Sequence, residues 1–311
     1  MDTNVASHAE ARAHTGDAQF FEYSTAANPI RPSLTPRLPF HLFPASLYAD
    51  RPSRVVPLDL SPALKCEGPA TSPGLCAHFV RVLASESIAL DPNATSLVFY
   101  VIGGHGSATT GNTVLDWRKG DFFTLPGAAA TTLTASDDAA LYYVNDAPLL
   151  TYLGATVDRA RFAPTLYTAE RANAELALVA SDPAAADCSR ISVLLANTNF
   201  PLTRTVSHTL WAIYGLITPG SVEKPHRHQS VALDFIAECD AGCFSLVGPE
   251  LDADGSIRNP TRVDWEPGSV FVTPPGYWHA HSNTSAREAR LIPIQDAGLQ
   301  TYLRTLDIRF A

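Results

Sequence analysis

The chain has 311 residues, of which 17% are charged, and a net charge of −9 at neutral pH. A chain of this length can bury a substantial core in one or two domains. Its acidic balance argues against nucleic acid or an anionic membrane as a partner, and its apolar runs stop far short of the ~20 residues of a membrane span. With 24 prolines and 18 glycines, the sequence suits a turn-rich β-protein better than a helical bundle.

Residues 1–35 are polar and alanine-rich without clear periodicity, which predicts an irregular arm that is mobile or lies across a second copy in a homo-oligomer. The charged-then-apolar layout of a secretion signal is missing there, so a cytoplasmic location is the expectation. The five cysteines, Cys66, Cys76, Cys188, Cys239 and Cys243, are odd in number and scattered. Cys239 and Cys243 lack a second pair to complete a zinc site, so all five read as free thiols.

Residues 36–160 contain short apolar runs between turn residues, as in Leu97-Val-Phe-Tyr-Val-Ile102 and Ala140-Leu-Tyr-Tyr-Val144, and read as strands of a first domain. The pattern changes over residues 161–190. Helix formers from 168 to 180, with Thr168 as N-cap and Glu170 in the first turn, predict a helix that gives way at Pro183 to a linker. Residues 191–311 return to strand-like runs.

These two β-rich regions are copies of one unit. Asp116-Trp-Arg-Lys-Gly recurs as Asp264-Trp-Glu-Pro-Gly at an offset of 148, and Asp146-Ala-Pro-Leu-Leu-Thr-Tyr-Leu153 recurs as Asp296-Ala-Gly-Leu-Gln-Thr-Tyr-Leu303 at an offset of 150. Two matches in the same order imply a duplicated supersecondary unit. The expected fold is all-β: two tandem jelly-roll barrels joined by a short helical linker, preceded by the irregular arm.

The chemistry sits in the second copy. Gly220-Ser-Val-Glu-Lys-Pro-His226-Arg-His228 reads G-x5-H-x-H, and Gly268-Ser-Val-Phe-Val-Thr-Pro-Pro-Gly276-Tyr-Trp-His279-Ala-His281-Ser-Asn283 follows about 50 residues on. Side chains two apart on a strand share a face, so His226 and His228 project together. His279 on a neighbouring strand would close three sides of a metal site and leave positions open for substrate or oxygen. His281 shares the face of His279 and is a candidate for proton handling. Gln229 flanks the pair, and Asp234 is either a carboxylate orienting an imidazole or a solvent-facing residue. Arg227 alternates away from the pair and is expected in a structural ion pair, while Arg262 and Arg290 are cations that could hold an anionic substrate. With Thr95-Ser96 set against Gln229-Ser230, the first copy carries Pro92, Ala94 and Thr131 at the three histidine positions. None of these assembles a transition-metal site, so the first domain reads as a structural twin.

The paired motifs resemble the two signature segments of the cupin superfamily. Most cupins place a glutamate four or five residues after the second histidine, where Ala232 and Leu233 stand here, and Asp234 comes one residue too late. The resemblance, strongest over residues 190–300, is therefore to the three-histidine group that includes gentisate 1,2-dioxygenase. It implies a bicupin with a non-haem Fe(II) at His226, His228 and His279, acting with O2 on a hydroxylated aromatic or related small organic acid. In that group catalysis usually sits in the N-terminal barrel, whereas the intact set here is in the C-terminal one. The ligands would equally accept Ni, Mn or Zn, and the same site would serve a non-redox isomerase, cyclase or lyase of secondary metabolism. A bicupin without catalysis has no need of three convergent imidazoles.

Overall fold

The computed structural model describes residues 16–31, 34–187 and 191–311. The expected thiol Cys188 lies outside them. The chain forms two compact units, Met1–Arg37 and Leu38–Ala311. In the first, one short helix, Tyr23–Ala26, is capped by the Glu22 carboxylate, which accepts from the amides of Ser24 and Thr25. No described helix is long and apolar enough to cross a membrane.

The regular structure of the second unit is mainly antiparallel sheet. It opens with strand β1 (His41–Phe43) and continues through β2 (Arg54–Pro57), β3 (Cys76–Val82), β4 (Ser87–Leu90), β5 (Ser96–Gly103) and β6 (His105–Thr110). The first half ends with β7 (Thr113–Arg118), β8 (Phe122–Pro126), β9 (Thr131–Ala135), β10 (Ala139–Asn145) and β11 (Thr165–Tyr167). The second half runs through β12 (Ile191–Leu195), β13 (Trp211–Ile217), β14 (His226–Arg227), β15 (Ala232–Glu238) and β16 (Cys243–Gly248). It closes with β17 (Thr261–Asp264), β18 (Val270–Thr273), β19 (Trp278–Asn283), β20 (Ala289–Gln295) and β21 (Arg309–Phe310).

These strands form two jelly rolls, each made of two facing sheets. The first pairs a six-stranded sheet, β11-β8-β5-β10-β3-β2, with a four-stranded one, β4-β9-β6-β7. The second pairs β1-β18-β15-β20-β13-β12 with the five-stranded β17-β16-β19-β14-β21. Residues 41–43 belong by sequence to the first half, yet β1 adds to the second half's sheet beside β18. Between the halves the helix Ala169–Ser181 starts at Thr168, whose hydroxyl accepts from the Arg171 amide.

The two six-stranded sheets pack face to face. Phe79, Tyr100, Phe122 and Tyr142 from one meet Tyr214, Leu233, Phe235 and Ile292 from the other in a single core. Because these sheets are covered on both faces, their strands read as continuous apolar runs rather than alternation; every residue of β10 is buried. A stack of Tyr142 on Phe235, ring centroids 5.0 Å apart, marks the centre, and the Tyr142 hydroxyl donates to the Leu233 carbonyl.

The interiors of the two jelly rolls differ. The first is filled by Val80, Leu97, Phe99, Phe123, Leu125, Leu133 and neighbours. His78 is a polar residue within it, buried and stacked on Tyr143 with Nε2 3.5 Å from the Cys76 sulfur. Burial pushes its pKa down to about 4, so the folded state holds it neutral. In the unfolded chain it takes up a proton near its ordinary value of about 6.5. Stability is therefore expected to fall as the pH drops from about 6.5 towards 4, by up to about 3 kcal/mol from this group. Denaturant titrations at neutral and mildly acid pH should give a smaller acid loss for His78→Phe than for the parent; equal losses would refute this.

Candidate metal centre

The second interior gives up part of its apolar filling. Ile217, Ile236, Val263, Trp265, Phe271 and Leu291 pack one part of it, and a cluster of histidines occupies the rest. His226 lies on β14 directly opposite His279 on β19, and directly opposed residues of an antiparallel pair share a face. Their ring centroids are 4.1 Å apart, and His228 lies 4.9 Å from His279. The three are 3%, 4% and 2% exposed for His226, His228 and His279, and one donor nitrogen from each falls within 4.8 Å of the others.

Backbone turns make this convergence possible. Gly268 precedes β18 with φ +81° and donates its amide to the Ile236 carbonyl, while a Cβ at this position would strike the Tyr48 hydroxyl. Gly276 turns the chain from β18 into β19 at φ +76° and donates to the His228 carbonyl at 2.7 Å, tying the two motifs together. Both turns need the left-handed conformation that glycine adopts without penalty.

Neighbouring groups fix the imidazole tautomers. The Ser230 carbonyl lies 2.9 Å from His228 Nδ1, and the Tyr277 carbonyl 3.1 Å from His279 Nδ1. A carbonyl only accepts, so each Nδ1 carries the hydrogen and each Nε2 keeps its lone pair for a cation. The Ser230 hydroxyl also reaches His228 Nδ1, at 3.0 Å, and donates to Gln295 Oε1. Next in the chain, Asp296 accepts from the Val231 amide, with burial raising its carboxyl pKa to about 6. Three buried imidazoles, two of them oriented by backbone carbonyls, fit a divalent metal.

His281 is fully buried with its Nδ1 2.7 Å from the Ser245 hydroxyl, which accepts from the Trp265 indole. Its ring centroid is 5.8 Å from that of His279 and 6.2 Å from that of His226. Asp234 is also buried, its carboxylate accepting from the Thr273 hydroxyl at 2.7 Å, which removes the solvent-facing alternative. Gln229 is turned elsewhere: its Oε1 accepts from the Asp307 amide. Arg227 lies over the Trp278 ring at 5.3 Å rather than in the expected ion pair. Arg262 pairs with Asp264 and Arg290 with Glu238, so neither is engaged with the histidines. The hairpin between β16 and β17 is stapled by Arg258, which pairs with both Glu250 and Asp252 at 2.7 Å.

Sequence reasoning missed Ser230, Ser245 and Thr273, the hydroxyls that touch His228, His281 and Asp234. Proximity held a signal for the first, since Ser230 lies two residues after His228. Register also corrects the comparison between the copies. Leu90 lies opposite Thr131 as His226 lies opposite His279. Leu90 and Pro92, rather than Pro92 and Ala94, therefore stand in for the histidine pair, and the first half still lacks ligands.

No family model matches the chain. Two characterised proteins resemble part of it: gentisate 1,2-dioxygenase 1 of Aquipseudomonas alcaligenes, 29% identical over 130 residues, and 5-nitrosalicylic acid 1,2-dioxygenase of a Bradyrhizobium species, 31% identical over 91 residues. These stretches cover 42% and 29% of the chain and span 34% and 38% of the relatives' own lengths. Among solved structures, salicylate 1,2-dioxygenase of Pseudoaminobacter salicylatoxidans aligns over all of this chain and 95% of its own, with a TM-score of 0.71 at 14% identity. Oxalate decarboxylase of Bacillus subtilis aligns over 84% of this chain and 77% of its own, with a TM-score of 0.56 at 14% identity. The chain has the two-jelly-roll fold of salicylate 1,2-dioxygenase and resembles gentisate 1,2-dioxygenase over part of its sequence.

Proposed function

We propose that this chain is a metal-dependent dioxygenase that opens the ring of a hydroxylated aromatic acid at one centre in its second jelly roll. The observation that carries this reading is the convergence of His226, His228 and His279, three buried imidazoles with donor atoms within 4.8 Å of one another. A core kept only for packing gains nothing from three polar rings, because burying them costs free energy unless they are satisfied. Likeness to gentisate, 5-nitrosalicylic acid and salicylate dioxygenases supports the substrate class.

When bound, Fe(II) supplies Lewis acidity towards adjacent substrate oxygens and the redox chemistry with O2 that amino-acid side chains lack. The protein does the rest. His226, His228 and His279 would hold the ion. The carbonyls of Ser230 and Tyr277 engage Nδ1 of His228 and His279 and would leave Nε2 of each to the ion. Burial excludes water from the reacting groups. Ser245, which accepts from Trp265, lies 2.7 Å from His281 Nδ1 and holds that ring in place, and His281 would handle a proton of the substrate. Asp234 braces the wall through Thr273, and Gln229 anchors residue 307. The free thiols Cys66, Cys76, Cys239 and Cys243 fit a cytoplasmic location.

An oxygen electrode tests the reading. Protein reconstituted anaerobically with Fe(II) should consume O2 when given gentisate, salicylate or a related hydroxybenzoate. Substrate turnover without oxygen consumption would instead identify a non-redox enzyme using the same ligands.

A further inference from the structure

The last strand runs beside the histidines. β21 pairs antiparallel with β14, setting Phe310 opposite His226 and Arg309 opposite Arg227. Two further contacts hold this register: the Ala311 amide donates to the Pro225 carbonyl, and the Asp307 amide to Gln229 Oε1. Val247 is opposite His279, His279 is opposite His226, and His226 is opposite Phe310. Directly opposed residues share a face, so these four side chains form one row across the sheet, on the face that carries the histidines.

The row runs from the interior to solvent. Val247, His279 and His226 are buried, whereas Phe310 is 60% exposed. The Phe310 ring nevertheless stacks on His226, with centroids 5.7 Å apart and planes 26° apart. One edge of the ring is thus held against the histidine cluster while the remainder faces solvent. An aromatic ring so placed offers a π-surface to another planar ring, which prefers offset stacking at centroid distances of about 4.5–7 Å. A saturated acid gains nothing comparable from that surface.

We propose that Phe310 is a specificity-determining residue, whose exposed ring stacks on the ring of an aromatic acid bound at the histidine centre. The inference rests on the reading above and adds the group that distinguishes aromatic from saturated hydroxy acids. Stacking of this kind contributes about fivefold in affinity.

Two substitutions separate stacking from mere cover. Phe310→Leu keeps an apolar side chain over His226 and removes the π-face; Phe310→Trp keeps the face. The full chain is loaded anaerobically with Fe(II) and titrated with salicylate and, separately, with lactate, while bound metal is measured by elemental analysis. Phe310→Leu should bind salicylate about fivefold more weakly, with lactate affinity and metal content unchanged, and Phe310→Trp should bind salicylate as the parent does. Unchanged salicylate affinity in Phe310→Leu overturns the inference and leaves the proposed reaction standing. Parallel loss of salicylate, lactate and metal also overturns it, since Phe310 would then only cover His226. A parent protein that holds metal but binds neither salicylate nor gentisate removes the substrate class, and the inference with it.

Discussion

His226→Ala is expected to purify without its metal and to lose turnover by more than about 100-fold, the upper end of what disturbing only the groups around a ligand costs. His226 has His279 directly opposite it across the β14–β19 pair and Phe310 packed on its ring. Removing its imidazole leaves two donors, and the buried carboxylate of Asp234 accepts from the Thr273 hydroxyl. The fold should survive, because β14 is a two-residue strand and the main core lies between the six-stranded sheets. Elemental analysis beside a thermal melt checks both halves of this expectation. Full metal content in a folded variant would remove His226 from the ligand set. Ser230→Ala should do less: all three ligands stay, His228 Nδ1 keeps the Ser230 carbonyl, and about tenfold in metal affinity is the expected loss.

Phe235→Ala should be the most damaging substitution away from the histidines. The residue is 1% exposed, stacks on Tyr142 at 5.0 Å and approaches Tyr100 at 5.5 Å. Those partners belong to the other six-stranded sheet, so truncation opens a cavity where the two halves meet. Large-to-small changes of an aromatic in such a core cost about 3–5 kcal/mol, a large fraction of a typical domain's stability. Residues 38–311 form one compact unit, so urea unfolding should remain a single transition moved to lower denaturant. A variant that unfolds in two steps, with one half unaffected, would contradict the shared core.

Much of this architecture was legible in the sequence. The two recurring segments gave away the duplication, and the helix from Ala169 begins where Thr168 predicts. The histidine spacing located the centre, although the strand expected to carry both rings ends at Arg227, one residue short of His228. Non-local pairing was not legible. Nothing in His41–Phe43 marks it for the second half's sheet, and nothing in Arg309–Phe310 marks it for the edge beside His226, since an edge strand finds its partner through backbone hydrogen bonds that any residue can make. The comparison of the copies slipped for a related reason. Turns of unequal length separate the strands, so chain offsets drift while cross-strand pairing keeps Leu90 opposite Thr131. Arg227, Arg262 and Arg290 were identifiable as cations, but their partners are fixed by tertiary packing.

On the proposed reading, the three-histidine centre of the second jelly roll consumes O2 in opening an aromatic ring. Mass spectrometry of the product formed by the Fe(II)-loaded protein from gentisate or salicylate under ¹⁸O2 tests it most directly. Two labelled oxygen atoms in a ring-opened acid, with none formed by His226→Ala, is the predicted result. A product that carries no label, or equal labelling from the parent and His226→Ala, would contradict it.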